Sequence, residues 1–497
     1  MGGGDMIHGG PAAPGTGSFG PAAPGAVGLD PDELRGTAGA VLDELARFLA
    51  GSRSGGRPVV STAPIEEVEK LLDLGRWTRD GGMDDTGLLR FLRAYLDHAA
   101  AYHHPGYLAH QIAPSDTPGV VADLVQSVLN NAPLIYELTP PGAAVDRAAW
   151  RWMLERAGWG ASGTGTLTHG GSLGNLIALV AARSRADTGS WRRGNGGRLV
   201  VLAAPSGHYS LRKAAAVMGL GADGVLPLPV DRLGRIRVDR VPEAIAAARR
   251  GGGRPIALVA NACATGTGLY DDLAGLAEVC GEHGVWLHVD GAHGASALVS
   301  DRHRRLMAGL EGADSLTWDA HKMLRAPVLT TGVLFRDRAS FDGLFEQDAS
   351  YLFEERMRDL DPGQRTFETT KPPIGLRIVL ALAMRGERGL AAYVDRQYAL
   401  AHRAWEVLRE TPGFELPYEP ESNVLCFRYA PAGDRQLDLR RLVNEDGAFY
   451  LSSVRIGEKA HLRAAFMSPT TTEQDVVALG ATIGRLAAAL EDGGGHP

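Results

Sequence analysis

The sequence is poor in cysteine and lacks long apolar runs. Its 497 residues contain three cysteines, Cys263, Cys280 and Cys426, which are widely spaced and odd in number. This pattern argues against a disulfide framework or a CxxC zinc site, so we expect a cytoplasmic protein. Every apolar run is far shorter than the ~18–20 residues that cross a bilayer, and we expect no membrane span.

An excess of positive charge is also missing. Lys and Arg number 51 while Asp and Glu number 58, which gives a net charge of −7. This balance excludes a general attraction to nucleic acid or anionic membranes, although it does not exclude a local basic pocket. The hydrophobic fraction of 44% and the charged fraction of 22% are typical of a soluble globular protein. The length suits one large enzyme subunit or two to three modules.

Composition and periodicity divide the chain into four segments. Residues 1–30 contain ten Gly and four Pro, which predicts a disordered leader, and they lack the apolar stretch of a signal peptide. Residues 31–110 carry apolar side chains at helical spacing and predict an N-terminal helical segment. Residues 111–385 predict a large α/β domain, and residues 386–497 predict a small C-terminal α+β domain.

The large domain alternates short apolar runs with alanine-rich helical stretches. The runs at residues 198–205, 255–262, 285–292 and 332–335 predict strands, and helical stretches such as residues 173–186 and 271–284 lie among them. Nearly continuous apolar strands that alternate with helices indicate a mostly parallel sheet covered on both faces. Ligands of such sheets bind at the carboxyl ends of the strands, where four features carry candidate chemistry.

The first feature is the glycine-rich sequence THGGSLGN at residues 168–175, which opens a helix. Glycines such as Gly171 let a backbone approach a phosphate, the helix N-terminus supplies free N–H groups, and Ser172 adds a donor. The alternative is a turn that merely enters a helix, because short glycine-rich loops are weak signals.

The second feature is WLHVDGAH at residues 286–293, in which Asp290 ends an apolar strand. A carboxylate there is costly unless it is paired, and it can keep a heterocyclic nitrogen protonated. One alternative is a metal site formed with His288 and His293, although no fourth ligand supports it. Another is a buried aspartate bonded to backbone N–H groups.

The remaining two features are Lys322, beside His321 in SLTWDAHK, and His208, which follows the run at residues 198–205. A lysine after an apolar run is a candidate Schiff-base amine, and an imidazole in this position suits stacking on a flat ring. Taken alone, the sequence around Lys322 is more typical of a surface lysine, and that around His208 is more typical of a capping residue. Together with a phosphate cradle and a carboxylate, they form the set of groups that binds pyridoxal phosphate.

These motifs resemble the group II pyridoxal phosphate-dependent decarboxylases, in particular the glutamate and cysteine sulfinate decarboxylases. The resemblance extends from about His104 to Asp475 and is strongest in ADSLTWDAHKML, ASYLFEE, WLHVDGAHG and THGGSLGNLIAL. It implies a type I, aspartate-aminotransferase-like fold and a homodimer with its active site at the subunit interface. Residues 111–385 would then form the cofactor-binding domain.

The resemblance also assigns roles to single residues. Lys322 matches the Schiff-base lysine, Asp290 the partner of the pyridine nitrogen and His208 the histidine that stacks on the ring. The other matched positions divide between the cofactor and the substrate. Those that contact the cofactor are Gly171, Ser172, Thr265, Ala292 and His321; those that bind the substrate are Gln111, His110 and Arg463, the last through the substrate carboxylate.

The chain also departs from the family pattern. The loop after Tyr351-Leu352-Phe353 reads EERMRDLDPGQRTFETTK and lacks the tyrosine thought to deliver a proton to the substrate carbon. Family asparagine or proline residues before the lysine are replaced by Asp319 and Ala320, and a family arginine by Lys371. His110 stands where the family has an asparagine.

We therefore expect a pyridoxal phosphate-dependent enzyme that decarboxylates a small L-amino acid, with acidic amino acids among the candidates. His110, His293 or a residue from the partner's loop would replace the missing tyrosine as proton donor. One alternative keeps the cofactor but ends in oxidative deamination, transamination or elimination. A second is a binding or scaffolding subunit without catalysis, which the complete set of cofactor residues disfavours.

Overall fold

The computed structural model describes residues 29–345 and 360–492. The leader expected at residues 1–30 falls almost entirely on residues 1–28, which lie outside the described residues. Residues 346–359 also lie outside them, and they include Tyr351-Leu352-Phe353 and the first six residues, 354–359, of the loop expected to lack its tyrosine. The chain divides into two compact units, residues 1–104 and residues 105–497. The domain boundaries at residues 110 and 385 stay predictions.

The first unit is helical in its described part. Its helices are α1 (Pro31–Arg53), α2 (Ile65–Leu71), α3 (Leu74–Asp80) and α4 (Asp85–His98). Helix α1 begins where the sequence predicts it, because Asp30 accepts hydrogen bonds from the N–H groups of Asp32 and Glu33 and Pro31 occupies the first turn. The buried Glu44 carboxylate on α1 accepts a 2.8 Å hydrogen bond from Nε of Arg93 on α4.

The second unit holds the remaining elements. Its helices are α5 (Thr117–Leu129), α6 (Pro140–Arg156), α7 (Gly171–Ala186), α8 (Ser190–Arg193), α9 (Ser210–Val217), α10 (Val241–Arg250), α11 (Leu273–His283), α12 (Gly375–Glu410), α13 (Gln436–Asp446) and α14 (Glu473–Asp492). Its strands are β1 (Thr164–Thr168), β2 (Leu199–Ala203), β3 (Val225–Pro227), β4 (Arg254–Asn261), β5 (Trp286–Asp290), β6 (Ser315–Asp319), β7 (Thr331–Phe335), β8 (Phe414–Glu415), β9 (Val424–Tyr429), β10 (Ser452–Ile456) and β11 (Lys459–Ala465).

Strands β1 to β7 form one sheet in the order β1-β7-β6-β5-β4-β2-β3. The pairs from β3 through β6 are parallel, whereas β7 runs antiparallel to both β6 and β1. The mostly parallel sheet expected from the sequence is therefore present. Because β1, β2, β4, β5 and β6 run in the same direction, their carboxyl ends meet at one edge of the sheet.

Apolar side chains cover both faces of this sheet. One core packs α6, α10, α11 and the first part of α12 against residues such as Leu258, Leu287 and Leu316. The other packs α7 and α9 against Val201, Val259 and similar residues. Burial on both faces explains why β4 and β5 are nearly continuous apolar runs in the sequence. The buried sheet forms a rigid base for the loops at its carboxyl edge.

Strands β8 to β11 form a second, antiparallel sheet in the order β10-β11-β9-β8. Its apolar face packs with α13, α14 and the second part of α12. Helix α12 carries a break at Gly386, whose φ is 67°. Among the helices that the structure describes, none combines the length and the apolar composition needed to cross a membrane.

Candidate active site

The residues singled out in the sequence collect at the carboxyl edge of the large sheet. Thr168 ends β1, Asp290 ends β5 and Asp319 ends β6, while His208 follows β2. Gly171 shows how closely the loops meet, because a Cβ atom placed on it would lie 2.9 Å from Oδ2 of Asp319 and 3.2 Å from Cβ of Ala292. The three motifs that carry these residues therefore converge at the carboxyl edge of the sheet.

Helix α7 presents its N-terminus to this edge. Gly170 precedes it with a φ of 91°, a conformation that favours glycine, and no described side chain caps the helix. The N–H groups of the first turn, including those of Gly171 and Ser172, have no earlier helical carbonyl to bond. An uncapped N-terminus of a 16-residue helix suits a phosphate group. This geometry fits the predicted phosphate cradle.

Lys322 lies three residues beyond the carboxyl end of β6. Its Nζ lies 3.3 Å from Oδ2 of Asp319, which is buried, and its own side chain is 20% exposed. Thr331 donates a 2.6 Å hydrogen bond to Oδ1 of Asp319 and so holds that carboxylate in place. His321 is buried, and its Nε2 lies 3.7 Å from Oδ2 of Asp319. The amine is thus held where a substrate or cofactor aldehyde can reach it.

Asp290 is a buried carboxylate without a cationic partner in the part of the chain that the structure describes. It accepts hydrogen bonds from Nδ2 of Asn175 at 2.8 Å and from the N–H group of Ala292 at 3.2 Å. A buried carboxylate is costly without an opposite charge. A protonated pyridine nitrogen would supply that charge, so Asp290 fits the role expected from the sequence.

His208 lies among these charged groups. Burial lowers the pKa of its imidazole, the Asp290 carboxylate opposes this shift, and the Lys322 ammonium adds to it. Its Nδ1 lies 2.8 Å from the hydroxyl of Ser210. The ring is therefore held neutral and oriented beside both Asp290 and Lys322, which suits stacking on a flat cofactor.

Residues 366–371, which precede α12, contact the residues of the predicted phosphate cradle. The Glu368 carboxylate accepts a 2.6 Å hydrogen bond from the Thr168 hydroxyl and contacts Nδ1 of His169. Burial alone would raise the pKa of Glu368, but its hydrogen bond with His169 and the nearby Lys371 ammonium lower that pKa to about 2. Lys371 is buried, and its Nζ donates to Thr366 at 3.1 Å. The sequence did not indicate these contacts.

Arg463 lies on β11 with its guanidinium buried among backbone carbonyls. Nε donates to the carbonyl of Gly266 at 3.1 Å, and Nη2 donates to that of Thr265 at 2.8 Å. Nη1 donates to the carbonyl of Ala109 at 2.8 Å and to the hydroxyl of Ser452 at 3.0 Å. Four of the five N–H groups of a guanidinium are therefore in use, and one remains for a substrate oxygen.

Gln111 and His110 follow the carbonyl of Ala109 that Arg463 binds. Gln111 is buried, and its Nε2 has no hydrogen-bond partner among the described residues. His110 is exposed, and its Nε2 lies 3.3 Å from the hydroxyl of Tyr450. Burial of part of its ring and the Arg463 charge lower the pKa of His110. The side chains of Gln111 and Arg463 both offer hydrogen-bond donors, and Arg463 binds the carbonyl of Ala109, two residues before Gln111. We call Gln111 and Arg463 the donor-rich subsite.

His293 lies near both Lys322 and Arg463. Nδ2 of Asn423 donates to the carbonyl of Phe466 at 2.9 Å, so Oδ1 of Asn423 accepts the 2.6 Å bond from Nε2 of His293. Nδ1 of His293 is buried and has no partner in the described chain. Burial and the two nearby cations lower the pKa of His293 to about 3. A neutral ring whose Nδ1 carries no proton can only accept a hydrogen bond at that nitrogen. His293 therefore does not fit the role of proton donor that the sequence suggests.

Both ring nitrogens of His288 are also in use. They bond with the hydroxyl of Ser315 at 2.9 Å and with Oδ1 of Asn175 at 3.1 Å. The described residues contain no group of three or more side chains placed to hold a metal ion. The geometry therefore gives no support to the alternative metal site of His288, Asp290 and His293.

The chain is similar in sequence to known proteins. The profile of the pyridoxal-dependent decarboxylase conserved domain matches residues 93–430. The acidic amino acid decarboxylase GADL1 of Bos taurus is 32% identical over 381 residues, 76% of this chain and 73% of that protein. The human cysteine sulfinic acid decarboxylase is 30% identical over 404 residues, 80% of this chain and 81% of that protein.

A solved structure agrees with these sequence matches. The crystal structure of mouse CSAD superposes with a TM-score of 0.87 at 25% identity, over 92% of this chain and 99% of that one. The α/β fold expected from the resemblance is therefore confirmed. The site described above occupies the carboxyl edge of a sheet that this chain shares with its relatives.

Proposed function

The chain belongs to the pyridoxal-dependent decarboxylase family, and from this premise we propose that it decarboxylates an acidic L-amino acid at the site around Lys322. It is a pyridoxal phosphate-dependent enzyme that releases carbon dioxide from an amino acid. Its relatives disfavour the alternatives of oxidative deamination, transamination or elimination. Beyond this, we propose the substrate class, the roles of the site residues and the oligomeric state.

The residues that would hold pyridoxal phosphate divide by the part of the cofactor they face. Lys322 would join the aldehyde carbon, Asp290 would pair with the ring nitrogen, and His208 would lie on the ring face. Gly171, Ser172 and His321 would bind the phosphate, and Thr265 and Ala292 would border the cofactor. When bound, the cofactor supplies an electron sink for the electron pair that the departing carboxylate leaves behind. The residues around the cofactor would keep its ring nitrogen protonated and its ring oriented.

The observation that carries this assignment is the buried Asp290 carboxylate. It receives hydrogen bonds from Asn175 and Ala292 but has no cationic partner among the described residues. A carboxylate in this position would stabilise a protonated ring nitrogen, and the stabilisation would be strong because the site is poorly solvated. Lys322 and the uncapped N-terminus of α7 lie at the same edge, which accounts for the aldehyde and the phosphate.

The donor-rich subsite supports an acidic substrate. Gln111 offers an unpartnered amide N–H group, and Arg463 offers a buried positive charge with one N–H group to spare. Negative groups are favoured next to such donors because charge-assisted hydrogen bonds are about twice as strong as neutral ones. Two of the relatives carry acidic amino acid or cysteine sulfinic acid in their names. Both lines of support favour a substrate with an acidic side chain.

We assign the return of a proton to the substrate carbon to His110 and Tyr450. His293 is disfavoured because its Nε2 proton is bonded to Asn423 and its free Nδ1 is an acceptor. The hydroxyl of Tyr450 lies 3.3 Å from Nε2 of His110, beside the Arg463 subsite. With the Tyr450 hydroxyl donating to Nε2, the proton of His110 lies on Nδ1, from which it can pass to the substrate.

A panel of L-amino acids tests the proposed substrate class and reaction. The cofactor-loaded enzyme is given aspartate, glutamate and cysteine sulfinate, with asparagine and glutamine as uncharged isosteres, and carbon dioxide and amine are measured together. We expect kcat/KM to be at least about tenfold higher for an acidic substrate than for its amide, because the buried donors are left unpaired by the neutral group. Carbon dioxide and amine should form in equal amounts.

The same assay in the Tyr450→Phe variant tests the proton source. We expect the amine formed per carbon dioxide to fall, because His110 loses the hydroxyl that orients its ring. Equal turnover of acid and amide would overturn the substrate class. Carbon dioxide without amine in the native enzyme would show that the proton is not returned to the substrate carbon.

We also propose a homodimer, supported by an apolar stripe on α5. Six large side chains of this helix are between 39% and 55% exposed, and their spacing of four residues aligns them along the helix. They are Val120, Val121, Leu124, Val125, Val128 and Leu129. Contiguous apolar stripes on a soluble subunit are typical of protein interfaces, and symmetric dimers use the same patch on both subunits. The resemblance to dimeric decarboxylases favours a second copy as the partner.

A charge placed in the stripe tests this assembly. We expect the native chain to sediment at about twice its mass of 52.6 kDa. Leu124→Arg should weaken association by at least ~30-fold, because a central apolar contact is replaced by a desolvated charge. Leu437→Arg is the matched control, since Leu437 is 48% exposed and lies on α13. A native monomer, or equal effects of both variants, would contradict the proposal.

The three cysteines support a cytoplasmic location. Cys263, Cys280 and Cys426 are buried and free, and burial raises their thiol pKa values to about 11, 12 and 11. Free structural thiols are typical of reducing compartments. Recovery of the protein from an oxidising compartment in cell fractionation would contradict this location.

A further inference from the structure

A chain of buried hydrogen bonds runs behind Asp290 and His208 and links Trp286, Ser315, His288, Asn175 and Ser210. It begins at the indole of Trp286, the first residue of β5, whose Nε1 donates to the hydroxyl of Ser315 on β6 at 2.8 Å. That hydroxyl also lies 2.9 Å from Nδ1 of His288. Trp286 is 3% exposed, and both Ser315 and His288 are fully buried.

The chemistry of these groups fixes the direction of each bond. An indole N–H can donate but not accept, so the oxygen of Ser315 is the acceptor from Trp286. The hydroxyl proton of Ser315 is then free to donate to Nδ1 of His288. A neutral His288 carries its proton on Nε2. Burial lowers the pKa of His288 to about 4, so the ring is neutral at physiological pH.

The direction continues into Asn175 on α7. Nε2 of His288 donates to Oδ1 of Asn175 at 3.1 Å. This bond turns the amide so that Nδ2 faces the other way, where it donates to Oδ2 of Asp290 at 2.8 Å and to the hydroxyl of Ser210 at 3.0 Å. The alternative orientation of the amide would place its oxygen against the Asp290 carboxylate, which is repulsive.

The last bond reaches the ring-stacking histidine. The oxygen of Ser210 accepts from Asn175, so its proton is free to donate to Nδ1 of His208 at 2.8 Å. His208 then carries its own proton on Nε2. The backbone N–H of Ser210 also donates to Nδ1 of His208 at 3.3 Å, which favours the same tautomer. The chain thus links an indole, an amide, a carboxylate and two imidazoles across β5, β6, α7 and the start of α9.

We infer that Ser315, His288 and Asn175 are positioning residues that orient Asp290 and His208 toward the cofactor. This inference rests on the proposed roles of Asp290 and His208. The three side chains lie behind these groups and act by fixing where their protons lie. The hydrogen-bond partners that stand behind metal ligands are a close analogue, and their removal costs about 10–100-fold in affinity or activity.

Ser315→Ala removes the link between Trp286 and His288 and is the primary test. His288 is then free to take either neutral tautomer, and with the proton on Nδ1 its Nε2 would face Oδ1 of Asn175 without a donor. We expect the dissociation constant of pyridoxal phosphate to rise by about tenfold. The visible absorbance of the protein-bound cofactor should also titrate at a different pH from the native protein, because Asp290 is held less firmly at the ring nitrogen.

The chain provides a closely matched control in Ser296→Ala. The hydroxyl of Ser296 accepts a 2.9 Å hydrogen bond from Nε1 of Trp318, and both residues are fully buried. Ser296→Ala thus breaks the same kind of tryptophan–serine bond in the same core without touching the chain that ends at Asp290. We expect it to lower the melting temperature as much as Ser315→Ala while leaving cofactor affinity and the absorbance titration unchanged.

Asn175→Asp is the second variant and keeps the test decisive if Ser315→Ala fails to fold. It replaces the N–H donor that faces Asp290 with an oxygen of similar size, so we expect weaker cofactor binding than in Ser315→Ala. Native affinity and an unchanged absorbance titration in a folded Ser315→Ala or Asn175→Asp protein would overturn the inference. Failure of the native protein to bind pyridoxal phosphate would instead overturn the proposed function.

Discussion

Replacing Lys322 with alanine should abolish the visible absorbance of the protein-linked cofactor and lower decarboxylation by at least ~10³-fold. The physical reason is that Lys322 is the described lysine beside Asp319 and α7, whereas Nζ of Lys371, near the end of β1, is buried and bonded to the Leu167 carbonyl and Thr366. Nζ of Lys322 lies 3.3 Å from Asp319 at the end of β6, next to the N-terminus of α7. An absorbance spectrum of the variant incubated with pyridoxal phosphate and a carbon dioxide assay measure the two effects.

Lys213→Ala is the control for this variant. Lys213 is exposed on α9, where its ammonium lies 4.8 Å from the ring centre of Tyr209. It belongs to the same unit as Lys322 but not to the proposed cofactor set, so its loss should leave the absorbance and the rate near native values. A persistent absorbance band in Lys322→Ala would mean that another amine carries the cofactor.

Replacing Asp290 with asparagine should lower kcat by about 10²–10³-fold while the protein stays folded. Asn175 and Ala292 donate hydrogen bonds to position 290, so the amide oxygen of the new side chain should turn toward them. Its NH₂ group would then face the ring nitrogen and favour the unprotonated form of that nitrogen. The electron sink weakens because its positive charge is lost.

Asp314→Asn separates this effect from the general cost of removing a carboxylate. Asp314 precedes β6, at the opposite edge of the sheet, and its carboxylate accepts a 2.8 Å hydrogen bond from the N–H group of Leu287. We expect Asp314→Asn to change stability without changing kcat. A native kcat in Asp290→Asn, measured with saturating cofactor, would show that the ring nitrogen needs no negative partner.

The sequence alone predicts the parts of the site that follow from strand order. Asp290 and Lys322 each come directly after a buried apolar run, and the glycine-rich turn at Gly171 opens a helix. Carboxyl ends of parallel strands meet at one edge, so residues far apart in sequence can be assigned to that edge without a structure. The same reasoning predicts a sheet buried on both faces, which the structure contains.

The sequence does not reveal which side chains support these groups. Asn175 lies 115 residues from Asp290, and Ser315 lies 27 residues from His288. Their hydrogen bonds depend on how β5, β6 and α7 pack, and no local pattern encodes that packing. A histidine on a strand face therefore reads equally well as a metal ligand, a core residue or part of a hydrogen-bond chain.

The sequence likewise does not reveal the protonation states of the site residues. His293 is a reasonable proton donor when only its nearness to Asp290 in the sequence is known. Its tautomer is set by Asn423, 130 residues away, and its low pKa is set by burial together with Lys322 and Arg463. For Arg463, the number of free N–H groups depends on carbonyls of Ala109, Thr265 and Gly266, which come from two distant segments.

The most direct measurement is to trap the cofactor on the native protein. The loaded protein is reduced with borohydride and digested, and the modified lysine is identified by mass spectrometry. The sequence contains five lysines, Lys70, Lys213, Lys322, Lys371 and Lys459, so the assignment is unambiguous. We expect the reduced cofactor on Lys322 alone. Modification of any of the other four lysines, or of none, would contradict the assignment of the active site.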